Sequence, residues 1–175
     1  MTTETTYDSR ADTLAHIDRV QTLIQTAINN LSVRAVKHDL SKLEEPEKST
    51  FDACTFKLRA MAYGSDEYKE ALAELKPALD HHYAANPHHP EHYANGVDGM
   101  SLFDVLEMLL DWKAATERMK GGGDIRRSLE INTERFKLSP QLVAILANTV
   151  REMGWENART ELRLPDSAAT TTPKI

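Results

Sequence analysis

Five of the chain's seven histidines fall within twelve residues: His81, His82, His88, His89 and His92, in the run from His81 to His92. Neutral imidazole is the commonest protein metal ligand, and it titrates near neutral pH. A low-complexity surface tract is the plain alternative, but this run interrupts a patterned globular chain and reads as a metal or phosphate site. The remaining two, His16 and His38, lie upstream, and His38 is followed directly by Asp39. Lys42 stands three residues past Asp39 and four past His38, so the three polar groups can meet on one side of a helix. Further along, Asp104, Glu107 and Asp111 form an acidic line in an otherwise apolar segment. Asp111, between Leu110 and Trp112, would need a cation if buried.

The elements that must position these groups read as helices. Ser9 and Asp12 have the Ser-x-x-Asp spacing of a capping box. Leu14, Ile17, Val20, Leu23, Ile24, Ala27, Ile28 and Leu31 then keep a 3.6-residue period, so residues 10–31 predict an amphipathic helix with His16 at the edge of its buried face. A second helix is expected from after Ser32 to Glu45, stopped by Pro46, with Val36, Leu40 and Leu43 inward. Residues 47–63 predict a third. Tyr68, Ala71, Leu72, Leu75, Leu79 and His82 form a stripe that points His82 inward and His81 about 100° round, with a kink or fresh start at Pro77. Asn86-Pro87, His89-Pro90, Asn95-Gly96 and Asp98-Gly99 mark an ordered, turn-rich loop over 86–100. Ser101 caps an apolar helix to about Lys120, and Asp104 suits its solvated side. Asp124 and Ser139-Pro140 open two more helices, the last ending at Gly154. Gly121-Gly122-Gly123 is a loop, with no preceding strand to make it a phosphate-binding motif.

No segment alternates as a strand would. The fold class expected is all-α, a bundle of about six or seven helices without a sheet. The domain plan is a flexible lead-in over 1–8, one helical domain over 9–155 and a disordered tail over 164–175. A length of 175 residues with 41% hydrophobic and 27% charged residues suits such a domain. A net charge of −6 argues against an extended nucleic-acid surface. The lone Cys54 excludes a disulfide framework and a cysteine-rich zinc site. No run is long and apolar enough for a membrane span, and the polar, acidic start is unlike a secretory signal. A cytoplasmic setting is the expectation, compatible with a homo-oligomer.

Taken together, these residues resemble the HD-domain superfamily of metal-dependent phosphohydrolases. The resemblance covers residues 10–153 and implies an HD-like bundle in which His16, His38, Asp39 and Asp111 hold a divalent ion (Mn, Mg, Zn, Fe or Ni). The segment His38-Asp39-Leu40-Ser41-Lys42 is similar to the His-Asp-x-Gly-Lys segment of HD-GYP phosphodiesterases and of mixed-valent di-iron oxygenases, which gives Lys42 the substrate's negative charge. The His81-His82 pair before a turn-rich loop is similar to their paired histidines. The whole pattern looks most like an HD-like family of unassigned function common in phage and bacterial genomes.

There are departures. Residues 40–80 lack the further single histidine of the HD-GYP type, and the Gly-Tyr-Pro signature is absent. One metal is therefore implied; a second would need His88, His89 or His92. The expected activity is hydrolysis of a small phosphate ester or anhydride, such as a nucleotide. His81, His82 or His89 would complete the ligand set, and His88 or His92 would protonate the leaving group. Arg118, Arg126 and Arg127 are candidates for distal phosphates. The rival readings are a di-iron oxygenase on the same scaffold and a non-catalytic shell that binds a nucleotide or partner protein.

Overall fold

A computed structural model describes residues 7–60, 66–118 and 123–156. Among them are six α-helices and no strand: α1 (Arg10–Lys37), α2 (Glu47–Ala60), α3 (Asp66–Ala85), α4 (Leu102–Glu117), α5 (Ile125–Phe136) and α6 (Pro140–Glu152). The all-α expectation therefore holds. The expected lead-in and tail fall almost wholly outside the described residues, as do Gly121 and Gly122. The chain divides after Glu107 into two compact units.

In unit 1 the first departure concerns α1. One helix of 28 residues replaces the two expected over 10–31 and 33–45. Ser32, which looks like a cap, instead turns its hydroxyl back to the Ile28 carbonyl (2.9 Å), an arrangement that leaves a helix interior intact. At the start, Ser9 makes no side-chain cap, and Asp12 accepts from the Tyr7 hydroxyl in place of the capping box. The helix ends where Asp39 takes a left-handed backbone (φ 58°), a conformation open to Asp at modest strain. A 3₁₀ turn over Leu40–Leu43 follows. Leu40 and Leu43, beyond this break, and Val36, on α1 before it, are exposed although expected inside. None of α1's own apolar residues is buried.

Helices α2 and α3 pack together. On α3 the buried positions are Leu75, Ala78, His82 and Asn86, a 3-4-4 spacing along one face. The helix runs through Pro77, so no fresh start is made there. A turn-rich connection follows, as expected, with 3₁₀ turns at Pro90–His92 and Gly96–Gly99. Gly99 is confined here: a Cβ would lie 2.7 Å from Tyr93 Cβ, so the close approach of the two turns requires glycine.

The capping box forms at Ser101 and Asp104. Asp104 Oδ2 accepts from the Ser101 N–H (2.8 Å) and hydroxyl (2.7 Å), and the Asp104 N–H donates to Ser101 Oγ (3.2 Å). Tyr93 donates to the same carboxylate at 2.9 Å, and Arg34 lies 2.7 Å away. Asp104 is thus buried, contrary to its expected solvated place.

In unit 2 the buried apolar residues include Met108, Leu109, Ile125, Leu129, Leu146 and Val150, and Trp112 stacks parallel on Phe136. Asp124 and Ser139 cap α5 and α6 as their positions predict, accepting from the N–H groups of Arg126 and Leu142. Gly154, just beyond α6, has the positive φ (67°) that a helix exit favours.

Burial raises the Asp104 pKa, but the bonds from Ser101, Tyr93 and Arg34 outweigh it and hold the carboxyl below its usual range. The same carboxylate, with burial, pushes the Tyr93 hydroxyl up to about 12. A depressed carboxylate stabilises the fold above its unfolded pKa, and that contribution is lost as pH falls through the folded value. Asp104→Asn should therefore cost about 2–4 kcal/mol at pH 7, with the deficit against wild type shrinking below about pH 4. Urea melts of both proteins at several pH values check this.

Candidate metal centre

The candidate site lies in unit 1, where the α1 exit meets the end of α3 and its loop. Asp39 is set by its left-handed backbone and held by Lys42, whose ammonium donates to Oδ2 at 2.6 Å. His82 reaches inward from the buried face of α3. The loop then folds back because Asn86 closes the helix: its amide donates to the His82 carbonyl and to Ser41 Oγ, both at 2.8 Å. Pro87 cannot continue the helix. His88 and His89 are thereby brought beside His82, with ring centroids of His82 and His89 4.8 Å apart.

Four atoms converge. Asp39 Oδ1 lies 3.4 Å from His82 Nε2 and 3.5 Å from His88 Nε2, and His82 Nε2 is 2.9 Å from His89 Nε2. Asp39, His82, His88 and His89 each offer one ligand atom within 4.8 Å of the others. Asp39 Oδ1 is buried and takes no hydrogen bond from a described residue, an expensive state for a carboxylate oxygen. Two imidazole nitrogens at 2.9 Å, for their part, must share a proton or a cation.

Behind these atoms stand two carboxylates. Glu47, fully buried, accepts from His82 Nδ1 (2.9 Å), His81 Nδ1 (2.7 Å) and the Ser41 hydroxyl (3.1 Å). Glu107 accepts from His38 Nδ1 at 2.9 Å and lies 3.2 Å from His88 Nδ1, while Arg34 donates to its other oxygen at 3.0 Å. An ionised carboxylate only accepts, so the proton of each bonded ring sits on Nδ1, and in His82 and His88 the Nε2 lone pair faces Asp39 Oδ1. That is how histidine ligands are held in metal sites. Burial raises Glu47, but the bonds from His81, Ser41 and His82 keep its pKa below the usual carboxylate range. Burial raises Asp39 too, and Lys42 overcomes it. His82 is lowered, by burial first and by Lys42 second, against Asp39 and Glu47. It is therefore held neutral, the ligand-competent form.

Set against the expected residues, His38, Asp39, His82, His88 and His89 are brought together. His88, expected as a proton donor, lies within this inner cluster. His16 does not belong: on one unbroken helix, 1.5 Å per residue puts it roughly 33 Å from His38. His81, 48% exposed at the side chain, bonds the Glu47 oxygen that His82 does not, and is not among the converging residues. His92 is exposed and donates through Nδ1 to the Tyr83 carbonyl (2.8 Å). Asp111 sits four residues past Glu107 on α4, in unit 2. In the same unit Arg126 is buried beside Asp124, and exposed Arg127 pairs with Glu130.

Sequence reasoning missed Glu47, Ser41 and Asn86, and saw Glu107 only as part of an acidic line. Glu47 gives no local signal, since an acid in the first turn of a helix is ordinary. A cavity of about 280 Å³ adjoins the cluster, lined in part by Arg34, Lys37, His38, Asn86, His88 and Glu107.

Fold and site together define an all-α protein with a buried histidine–carboxylate cluster able to hold a divalent cation. The chain belongs to the family of unknown function DUF5662, which it matches over residues 5–152. No curated protein and no solved structure matches it.

Removing Glu47 should leave buried imidazole and hydroxyl donors without an acceptor. Glu47→Ala is expected to destabilise the protein by about 2–4 kcal/mol, and His81→Ala, on the exposed side of the same carboxylate, by under about 1 kcal/mol. Chemical denaturation measures both. Nitrogen-15 NMR of wild type should show His82 protonated at Nδ1.

Proposed function

We propose that the protein is a metal-dependent hydrolase of small phosphate esters or anhydrides. The observation that carries this is the convergence of three imidazole Nε2 atoms on the buried, unbonded Asp39 Oδ1. Three nitrogens and one carboxylate oxygen suit Mn, Fe, Ni or Zn better than Mg, whose preference is for oxygen. A divalent cation bound there supplies Lewis acidity toward a phosphoryl oxygen and acidifies water to make a nucleophile. Glu47 and Glu107 fix the ligand rings, so little reorganisation is needed on binding. Lys42, half exposed beside Asp39, can offset charge that grows on phosphate oxygens. Lys37 and Arg34 place cationic groups on the wall of the adjoining cavity.

In this reading the likeness to the HD-domain superfamily rests on His38-Asp39 and Lys42, and the other ligands come from α3 and its loop. The imidazole-rich set also suits iron, and iron in the purified protein would turn the reading toward the oxygenase side of that likeness.

Metal analysis by mass spectrometry on the purified full chain is the test, followed by turnover on a panel of nucleotides and phosphomonoesters. Wild type should carry about one equivalent. Asp39→Asn keeps a residue tolerant of the left-handed backbone and should lose most of the metal, as should His89→Ala. Glu47→Gln should bind about 10–100-fold more weakly. His16→Ala and His81→Ala should retain it. Metal kept by Asp39→Asn and His89→Ala together, or lost by His16→Ala, would sink the assignment of the site. A loaded protein inert on every phosphate compound would sink the hydrolase.

A further inference from the structure

The first 28-residue helix has a conspicuously bare apolar face. Leu14, Ile17, Val20, Leu23, Ile24 and Ile28 are each between 38% and 55% exposed, and no residue of α1 is buried. Within it, Ile17, Val20, Ile24, Ala27 and Leu31 follow the 3-4-3-4 spacing of a coiled-coil seam. Leu14, Leu23 and Ile28 flank that seam and widen it. From residue 14 to residue 31 the stripe runs roughly 26 Å, and contiguous exposed apolar surface of this kind marks interaction sites.

We propose that α1 pairs with α1 of a second copy as an antiparallel two-helix interface centred on Ile24. Three observations favour a copy of this chain over another occupant. Residues 20–33 contain no charged side chain, which is unlike a solvated helix face and free of the repulsion that would oppose like-with-like pairing. The charges are gathered at the two ends: Asp8, Arg10, Asp12, Asp18 and Arg19 at the start, with one acid in excess, and Arg34 and Lys37 at the finish. Antiparallel pairing about Ile24 puts each acidic end beside the partner's Lys37 and opposes the two helix dipoles. A helix of this length with nothing buried also lacks the tertiary packing from which helices draw most of their stability. A two-fold interface is self-complementary and closes at two copies, and it buries Ile17 against Leu31 and Ile24 against itself.

Sedimentation equilibrium on the full chain is the test. Wild type should have twice the 19.7 kDa chain mass at micromolar concentration. Ile24→Glu places two like charges at the centre and should weaken association at least a hundredfold. Thr22→Glu, on the opposite side of the helix, should remain dimeric. Unchanged tryptophan emission from Trp112 and Trp155 would show that Ile24→Glu keeps unit 2 folded. Under mild oxidation, Ile17→Cys combined with Leu31→Cys should cross-link between chains, and Ile17→Cys alone should not. A monomeric wild type, or a dimer indifferent to Ile24→Glu, overturns the interface; cross-linking by Ile17→Cys alone overturns the antiparallel arrangement.

Discussion

Two buried carboxylates organise unit 1 around its histidines. Glu47 and Glu107 each accept hydrogen bonds from imidazole Nδ1 atoms, and this fixes both ring orientation and tautomer. The Nε2 lone pairs have one remaining direction, inward, where Asp39 Oδ1 is already buried. The arrangement is self-consistent only as a set. Without Glu47, His82 could turn, and without Asn86 closing α3 the loop would not bring His88 and His89 back to it. Arg34 ties the two halves of the support together, since it bonds both Glu107 and Asp104 while Asp104 caps the same helix that carries Glu107.

The helical class, the inward His82, the ordered loop after Asn86 and the caps at Ser101, Asp124 and Ser139 were all legible in the sequence, because each is a local consequence of periodicity or of a turn residue. Asp39 and the histidine run stood out for the same reason: their chemistry shows in residue type and spacing. What was hidden depends on long-range partners. Glu47 looks like any first-turn acid until α3 is packed on α2. Asp104 looks solvated until Arg34 and Tyr93 arrive. Ser32 looks like a cap because a hydroxyl that bonds back within a helix has the same sequence signature as one that begins a helix. That single ambiguity split α1 in two and left His16 a candidate ligand; the unbroken helix carries it far away.

α1 itself shows how period and burial are separate facts. Its 3.6-residue pattern was read correctly as an amphipathic helix, but amphipathicity says only that one face seeks cover. It does not say whether the cover comes from the same chain.

The cluster joins distant parts of the chain. Asp39 leaves α1, and its companions begin at His82, 43 residues later, with α2 and most of α3 between them. Any cation held by both ends closes that segment into a loop, and such closure removes conformational freedom from the unfolded chain much as a covalent cross-link does. With a single cysteine, the protein has no internal disulfide; the histidine–carboxylate cluster is placed to act as a reversible staple for the α2–α3 hairpin.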